Sequence, residues 1–207
     1  MRARMALAQA GVEFVVREVV LRDKPDEMLA LSSKGTVPVL LVDDTVIDES
    51  IDIMHWALAY ADEEGWLNHD EADLSATDVL ILQCEQDFKL WLDRYKYNDR
   101  HPDTELESAR SEAERFIGQL ENQLTQLPNS DYLFASISLA DMAIFPFVRQ
   151  FANVDRAWFD AAPYPCTQSW LANILTSERF QKIMQKYPQW SAGDEPVVFG
   201  SGGGRLR

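Results

Sequence analysis

The pattern of hydrophobic and polar residues changes character about a third of the way along the chain. Up to residue 61, short stretches of mixed period predict helix, strand, helix, strand, strand and helix in that order. From residue 74 onward, apolar residues recur at helical spacing almost throughout, which predicts a helical bundle. The sequence therefore predicts an α+β protein with a mixed first domain and an all-helical second domain.

The elements of the first half follow from their local signals. In chain order they are a helix over 2–10, a strand over 12–21, a helix from Pro25 through Leu31, strands over 37–42 and 45–47, and a helix over 51–59 that starts near 48–50. Gly11 is placed to end the first helix, and Asp43 and Asp44 form the tight turn between the last two strands.

The second half carries long amphipathic segments over 74–97, 105–127 and 138–152, with shorter ones following to Tyr187. Ser138 and Asp141 have the spacing of a capping box, in which each side chain bonds the backbone amide of the other end of the turn. Ile137 and Met142 can pack over the same turn. The expected role of this box is structural.

An acidic segment separates the two halves. Residues 62–78 hold seven Asp and Glu and no Lys or Arg, which is typical of a solvated connector. We therefore expect a first domain over 1–61, an acidic linker over 62–73, an all-helical domain over 74–195 and a flexible tail over 196–207, where Ser-Gly-Gly-Gly occurs.

Composition narrows the classes of function. The 207 residues include 19 Lys plus Arg against 34 Asp plus Glu, for a net charge of −15, which disfavours nucleic acid as a partner. No stretch reaches the roughly 18 apolar residues of a membrane span, and no signal peptide is recognisable, so a cytoplasmic protein without membrane attachment is expected. Cys84, Cys166 and the three His lack the spacing of a disulfide framework or a metal site.

Val37-Pro38 lies at the entry of a predicted central strand, where proline would remove a ladder hydrogen bond. One interpretation is a cis peptide bond that turns the Val37 backbone outward, free to pair with an extended, peptide-like ligand. The other is a proline on an edge strand or at the first residue of a strand. The residues alone leave both open.

Glu49 and Ser50 open the helix that follows the strand pair. The helix dipole at Ser50 favours a ligand carboxylate, and Glu49 offers an anionic partner for an ammonium group, so together they suit the head group of an α-amino acid. An ordinary helix start with an acidic first turn is the alternative.

These motifs resemble the cytosolic glutathione transferase superfamily. The run Lys-Gly-Thr-Val-Pro-Val-Leu over 34–40, followed by Ile-Asp-Glu-Ser-Ile-Asp-Ile-Met over 47–54, is similar to the glutathione-binding half of its thioredoxin-like domain. Ser-Leu-Ala-Asp over 138–141 and the apolar residues after it resemble its capping box and buried helix. Residues 2–5 and 49–56 most resemble the cysteine-containing members close to the two-domain bacterial glutaredoxins, and the likeness extends to about residue 190.

The resemblance implies roles for five residues. Val37 would pair its backbone with the cysteinyl part of glutathione, with Pro38 cis, and Glu49 and Ser50 would hold the γ-glutamyl end. Lys24 matches a lysine that approaches the glycyl carboxylate in some cysteine-type members, and a solvated turn lysine is the alternative. Glutathione is thus the implied co-substrate.

A second set of candidates lies on the first bundle helix. Phe88, Trp91, Leu92, Tyr95 and Tyr97 include residues that share one face. They either border a cleft between the domains, where an electrophilic or disulfide substrate would bind, or pack in the core. We name Tyr95 as the candidate from this set. Cys84 is expected to be a buried hydrophobe, and Cys166 is placed near a helix start, far along the chain from the binding motifs.

The chain departs from the superfamily at its beginning. Members carry a first strand and a loop with Cys, Ser or Tyr before the first helix, whereas Met1 already stands at that helix's start. Either the true start lies upstream, which we favour because the binding motifs are intact, or the chain is a degenerate relative. The catalytic residue is therefore unassigned.

Two hypotheses follow. The first is an enzyme, a glutathione transferase or glutathione-dependent thiol-disulfide oxidoreductase, monomeric or homodimeric. The second is a non-catalytic module that keeps the same groove and acts by binding or interaction.

Overall fold

The computed structural model describes residues 1–199 and forms two compact units. Unit 1 consists of Met1–Glu63 together with the segment that begins at Glu178, and unit 2 consists of Glu64–Ser177. Unit 1 combines short strands with helices, whereas unit 2 is helical. The predicted α+β class is confirmed.

Helices outnumber strands within residues 1–199. The helices are α1 (Arg2–Gln9), α2 (Asp26–Leu31), α3 (Ser50–Tyr60), α4 (Glu71–Gln83), α5 (Lys89–Lys96), α6 (Leu106–Thr125), α7 (Leu139–Ala152), α8 (Arg156–Ala161), α9 (Pro165–Thr176) and α10 (Glu178–Ile183). A π-helical turn, Cys84–Phe88, joins α4 to α5, and a 3₁₀ turn, Asn98–Arg100, follows α5. The strands are β1 (Val15–Val16), β2 (Leu40–Val42), β3 (Thr45–Ile47) and β4 (Val197–Val198).

Strands β2 and β3 form the predicted hairpin. They pair antiparallel, with Leu40 opposite Ile47 and Val42 opposite Thr45. Asp43 in the turn has a φ of 50°, a left-handed conformation that Asp tolerates better than most residues. The hairpin fixes which residues before β2 lie near which residues after β3.

Helices α1 and α3 pack together and supply the apolar core of unit 1. The buried side chains at this contact are Met5, Ala6, Leu7, Ile53, Met54 and Ala57. Helix α1 ends just before Gly11, whose φ of 63° lets the chain reverse there. The short first helix and the helix after the hairpin are thus both present as predicted.

The strand predicted over 12–21 is much shorter in the structure. Only Val15 and Val16 form a strand, and they pair with Val197 and Val198. The hydrophobic pattern gives the β-propensity of the segment, but a ladder also needs a neighbouring strand, and β2 pairs with β3 alone among the described residues. The prediction of a long strand is therefore wrong.

The segment after α10 belongs to unit 1 and corrects two predicted boundaries. The Trp190 amide donates to the Glu18 carbonyl at 2.9 Å, and the Phe199 amide donates to the Phe14 carbonyl at 2.9 Å. The Phe14 and Phe199 rings stack with centroids 4.7 Å apart. The helical domain therefore does not run to 195, and 196–199 are paired rather than part of a flexible tail. Residues 200–207 of the predicted tail lie outside the described residues.

The predicted linker over 62–73 is also different. Trp66 is fully buried, and its carbonyl accepts a hydrogen bond from the Leu139 amide at 3.0 Å. Asp70 caps α4 by accepting from the Asp73 amide at 2.9 Å. The acidic residues predicted a solvated connector. The buried Trp66 instead packs this segment into unit 2.

The core of unit 2 is built around α7. The predicted capping box is present, and the buried Asp141 carboxylate accepts from the Leu133 amide, the Ser138 amide and hydroxyl, and Trp170 Nε1 at 2.6–2.9 Å. Long helices lie at the predicted positions over 71–96, 106–125 and 139–152. These contacts lock the start of α7 against the chain before and after it.

Candidate functional site

The start of α3 has exposed polar groups. Glu49 is its N-cap, with extended backbone angles of −109° and 132°, and no side chain caps the helix. Ser50 is the first helical residue. The first amides of a helix have no acceptor within the helix. The N-terminal amides of α3 can therefore donate hydrogen bonds to a ligand carboxylate.

Val37 and Pro38 lie just before β2, at the end of the hairpin from which α3 begins. The Val37-Pro38 peptide bond is cis, as the resemblance implied, and the Val37 side chain is 47% exposed. The backbone of Val37 has no hydrogen-bond partner within residues 1–199. Because Leu40 pairs with Ile47, the residues just before β2 and those just after β3 lie at the same end of the hairpin. The hairpin thus brings four of the six candidate residues together.

Lys24 lies near the loop between α2 and β2. Its Nζ is 3.9 Å from the position that a Cβ would occupy on Gly35, two residues before Val37. Gly35 has a φ of 59°, a conformation that strains other residues. The Lys24 ammonium therefore lies next to the loop before β2 that contains Gly35 and Val37.

A charged network at this site was not singled out from the sequence. Lys34 Nζ donates to Glu49 Oε1 at 2.7 Å and to Asp48 Oδ1 at 3.0 Å, and the Ser32 hydroxyl donates to Asp48 Oδ2 at 2.7 Å. The Ser32 and Lys34 bonds hold the pKa of Asp48 below its usual value, and the Glu49 and Asp48 bonds raise the pKa of Lys34. The sequence did contain a signal for this network: Lys34 precedes β2, and Asp48 and Glu49 follow β3. The hairpin brings these oppositely charged residues together.

Tyr95 belongs to unit 2, whereas the other five candidate residues belong to unit 1. Its side chain is 2% exposed in unit 2, and its ring lies 5.4 Å from that of Phe151. Burial raises the pKa of Tyr95, against an opposing hydrogen bond from Arg110. Of the two alternatives for this set of aromatic residues, the structure therefore favours core packing for Tyr95, and a role in substrate binding stays a prediction.

The two cysteines lie in unit 2. Cys84 is fully buried, as predicted. Cys166 stands at the start of α9, where its amide and the Thr167 amide donate to the Glu121 carboxylate at 3.0 and 2.8 Å. Glu121 therefore caps α9 from α6 and occupies the positive end of the helix beside the thiol.

Unit 1 also contains an apolar groove of about 1130 Å³. It is lined by residues 12–19 and 37–42, and α1, α3 and residues 183–187 contribute further side chains. Val37 and Pro38 thus belong to this groove, and the charged residues of the Lys34 network and the uncapped start of α3 lie outside its lining.

Within 1–199, no group of three or more His, Cys, Asp or Glu side chains is arranged to hold a metal ion. Over the same range, no helix has the length and apolarity needed to cross a bilayer.

The fold and these motifs define a protein of the glutathione transferase class, and family comparisons agree. A model of the glutathione S-transferase N-terminal domain matches residues 1–59, and a model of the C-terminal domain matches residues 89–173. The chain belongs to the glutathione transferase superfamily. No curated protein sequence matches it significantly.

Solved structures share the fold at low sequence identity. Glutathione transferase Omega 3C from Trametes versicolor has a TM-score of 0.72 and 17% identity, over 92% of this chain and 86% of that one. Poplar glutathione transferase F1 has a TM-score of 0.72 and 18% identity, over 88% and 89% of the two chains. A glutathione S-transferase I bound with lactoylglutathione has a TM-score of 0.69 and 19% identity, over 88% and 91%.

Proposed function

We propose that this protein binds glutathione at Val37, Pro38, Glu49 and Ser50 in unit 1. The observation that carries the proposal is the hairpin pairing, which brings the residues before β2, with the unpaired Val37 backbone, and the uncapped start of α3 to the same end of the hairpin. The same fold in a transferase bound with lactoylglutathione supports this choice of ligand.

Each group in the site has a chemical counterpart in glutathione. The Val37 N–H and C=O can pair with the cysteinyl residue as one strand pairs with another. The Ser50 end of α3 takes the γ-glutamyl carboxylate and Glu49 takes its ammonium. Lys24 would approach the glycyl carboxylate.

The reaction we propose is glutathione-dependent transfer, either conjugation to an electrophile or reduction of a disulfide. The residue that activates the sulfur is unassigned. Residues 1–63 contain no cysteine, and both cysteines of the chain lie in unit 2. The second candidate is a glutathione-binding module without chemistry. The cytoplasmic location and the monomeric or dimeric state stay predictions.

Calorimetric titration with glutathione tests the binding proposal. Glu49→Gln removes the partner of the ammonium, and we expect it to weaken binding about tenfold, the low end for a charged hydrogen bond because the side chain is 56% exposed. Glu63→Gln, an exposed residue of the same unit, makes the same charge change and should leave binding unaltered. Absence of heat at millimolar glutathione, with the protein folded, would rule the proposal out.

Activity assays then separate the two candidates. A transferase conjugates glutathione to 1-chloro-2,4-dinitrobenzene or reduces a glutathione mixed disulfide, whereas a binding module does neither. Binding without turnover in both assays would favour the module.

A further inference from the structure

Lys34 spans the two carboxylates at the start of α3. It lies on the loop between α2 and β2, and its ammonium contacts Glu49 at 2.7 Å and Asp48 at 3.0 Å. The Lys34 and Glu49 side chains are 48% and 56% exposed, so water reaches this ion pair. The ammonium is free to exchange one partner for another without a buried charge being left behind.

The two carboxylates are held differently. Asp48 accepts from the Ser32 hydroxyl as well as from Lys34, so both of its oxygens are bonded. Glu49 has Lys34 as its one side-chain partner within residues 1–199, and its Oε2 is open. The Lys34 ammonium therefore occupies the same carboxylate that the proposed ligand's ammonium needs.

Like charges on one carboxylate repel each other, and the carboxylate's field is partly neutralised by the first cation. The bonds to Glu49 and Asp48 raise the pKa of Lys34, so its amine stays protonated at neutral pH. A ligand ammonium arriving at Glu49 consequently meets a resident cation.

We propose that Lys34 is an internal competitor for the ammonium position on Glu49, and that a ligand bearing an α-ammonium group displaces it. This inference rests on the proposed binding of glutathione. After displacement from Glu49, the Lys34 ammonium keeps its hydrogen bond to Asp48. Lys34 thereby lowers affinity for α-ammonium ligands, while ligands lacking that group leave it in place.

Competition and simple charge attraction predict opposite signs. Glutathione carries two carboxylates and one ammonium at neutral pH, so removing a lysine should weaken its binding if the lysine acted only through attraction. If Lys34 competes at Glu49, Lys34→Gln should instead tighten glutathione binding, by roughly threefold for an exposed pair. A lysine that merely positions Glu49 would also give weaker binding on removal, with rescue by Lys34→Arg.

The experiment is calorimetric titration of the full chain with glutathione and with its analogue lacking the α-amino group. We expect Lys34→Gln to tighten glutathione about threefold without tightening the analogue. In a Glu49→Gln background the same substitution should no longer tighten glutathione. Arg22→Gln, at an exposed residue of unit 1 that does not line the groove, controls for the loss of one positive charge.

Each outcome is decisive. Glutathione binding that is unchanged or weakened by Lys34→Gln would overturn the inference alone, since the ligand still binds. Equal tightening of glutathione and the analogue would overturn it as well. Absence of glutathione binding by wild type and variant alike would overturn the proposed function and this inference together.

Discussion

The indole nitrogen of Trp170 donates to Oδ1 of Asp141 at 2.8 Å in the interior of unit 2. The two residues lie on α9 and α7, and both are almost completely buried. The other bonds to Asp141 come from the chain just before α7. One carboxylate thus ties two helices and a loop together.

Replacing Asp141 by Ala should destabilise unit 2 severely. The change leaves the Leu133 amide, the Ser138 amide and Trp170 Nε1 buried without their acceptor, at about 1–3 kcal/mol each. We expect the free energy of unfolding to fall by about 4 kcal/mol or more, measured by urea denaturation. The exposed cap Asp70, which accepts one bond, is the control, and Asp70→Ala should cost about 1 kcal/mol. Equal losses would contradict this tie between the helices.

Tyr164 should titrate far above an ordinary tyrosine. Burial and the hydrogen bond to Glu114 at 2.9 Å raise its pKa to about 12. Because the folded pKa is raised, this group's stabilisation is complete below the unfolded value of 10.0 and is lost as pH rises toward about 12. The difference in alkaline absorbance between wild type and Tyr164→Phe isolates this tyrosine, and Glu114→Gln should lower its pKa. An ordinary titration near pH 10.0 in the wild type would refute the expectation.

Asp48 should titrate below an ordinary aspartate. The Ser32 hydroxyl and Lys34 lower its pKa, so its stabilisation is present above the unfolded pKa and is lost as pH falls through the folded value. Ser32→Ala should raise the pKa of Asp48, measured by carboxyl ¹³C chemical shifts. Ser33→Ala changes an exposed neighbour and should leave it unaltered. If Ser32→Ala left the pKa of Asp48 unchanged, that result would contradict the hydrogen bond between them.

Phe199 should stabilise unit 1. Its ring is 6% exposed and stacks on Phe14, so Phe199→Ala should cost about 3 kcal/mol. Hydrogen exchange should show lost protection at Val16 and in α1, while α7 in unit 2 keeps its protection. Val197→Ala, at a residue 38% exposed, is the matched control and should have a small effect. Uniform loss of protection in both units would contradict the assignment of this segment to unit 1.

Local signals predicted the elements whose causes are local. The β2–β3 hairpin follows from two short apolar runs around Asp43 and Asp44, and the capping box at Ser138 depends on residues three positions apart. The Val37 and Glu49 motifs could be paired because one hairpin separates them. Their position in the structure follows directly from its register.

The remaining features depend on partners far along the chain. Phe14 and Phe199 meet across nearly the whole sequence, so no periodicity near residue 14 could predict a strand of two residues rather than ten. Trp66 is buried and its carbonyl accepts from the Leu139 amide, although acidic residues surround Trp66 in sequence. The bond from Lys34 to Glu49 likewise arises from folding of the hairpin, and spacing along the chain gives no measure of it.

Unit 1 is discontinuous, since α10 and β4 complete it after the whole of unit 2 has intervened. On the ribosome, the polypeptide emerges from its N-terminus, and domains generally form as their sequence becomes available. All residues of unit 2 therefore leave the exit tunnel before the last strand of unit 1 does. During translation the helical unit can therefore fold before the residues of α10 and β4, which belong to unit 1, have been synthesised.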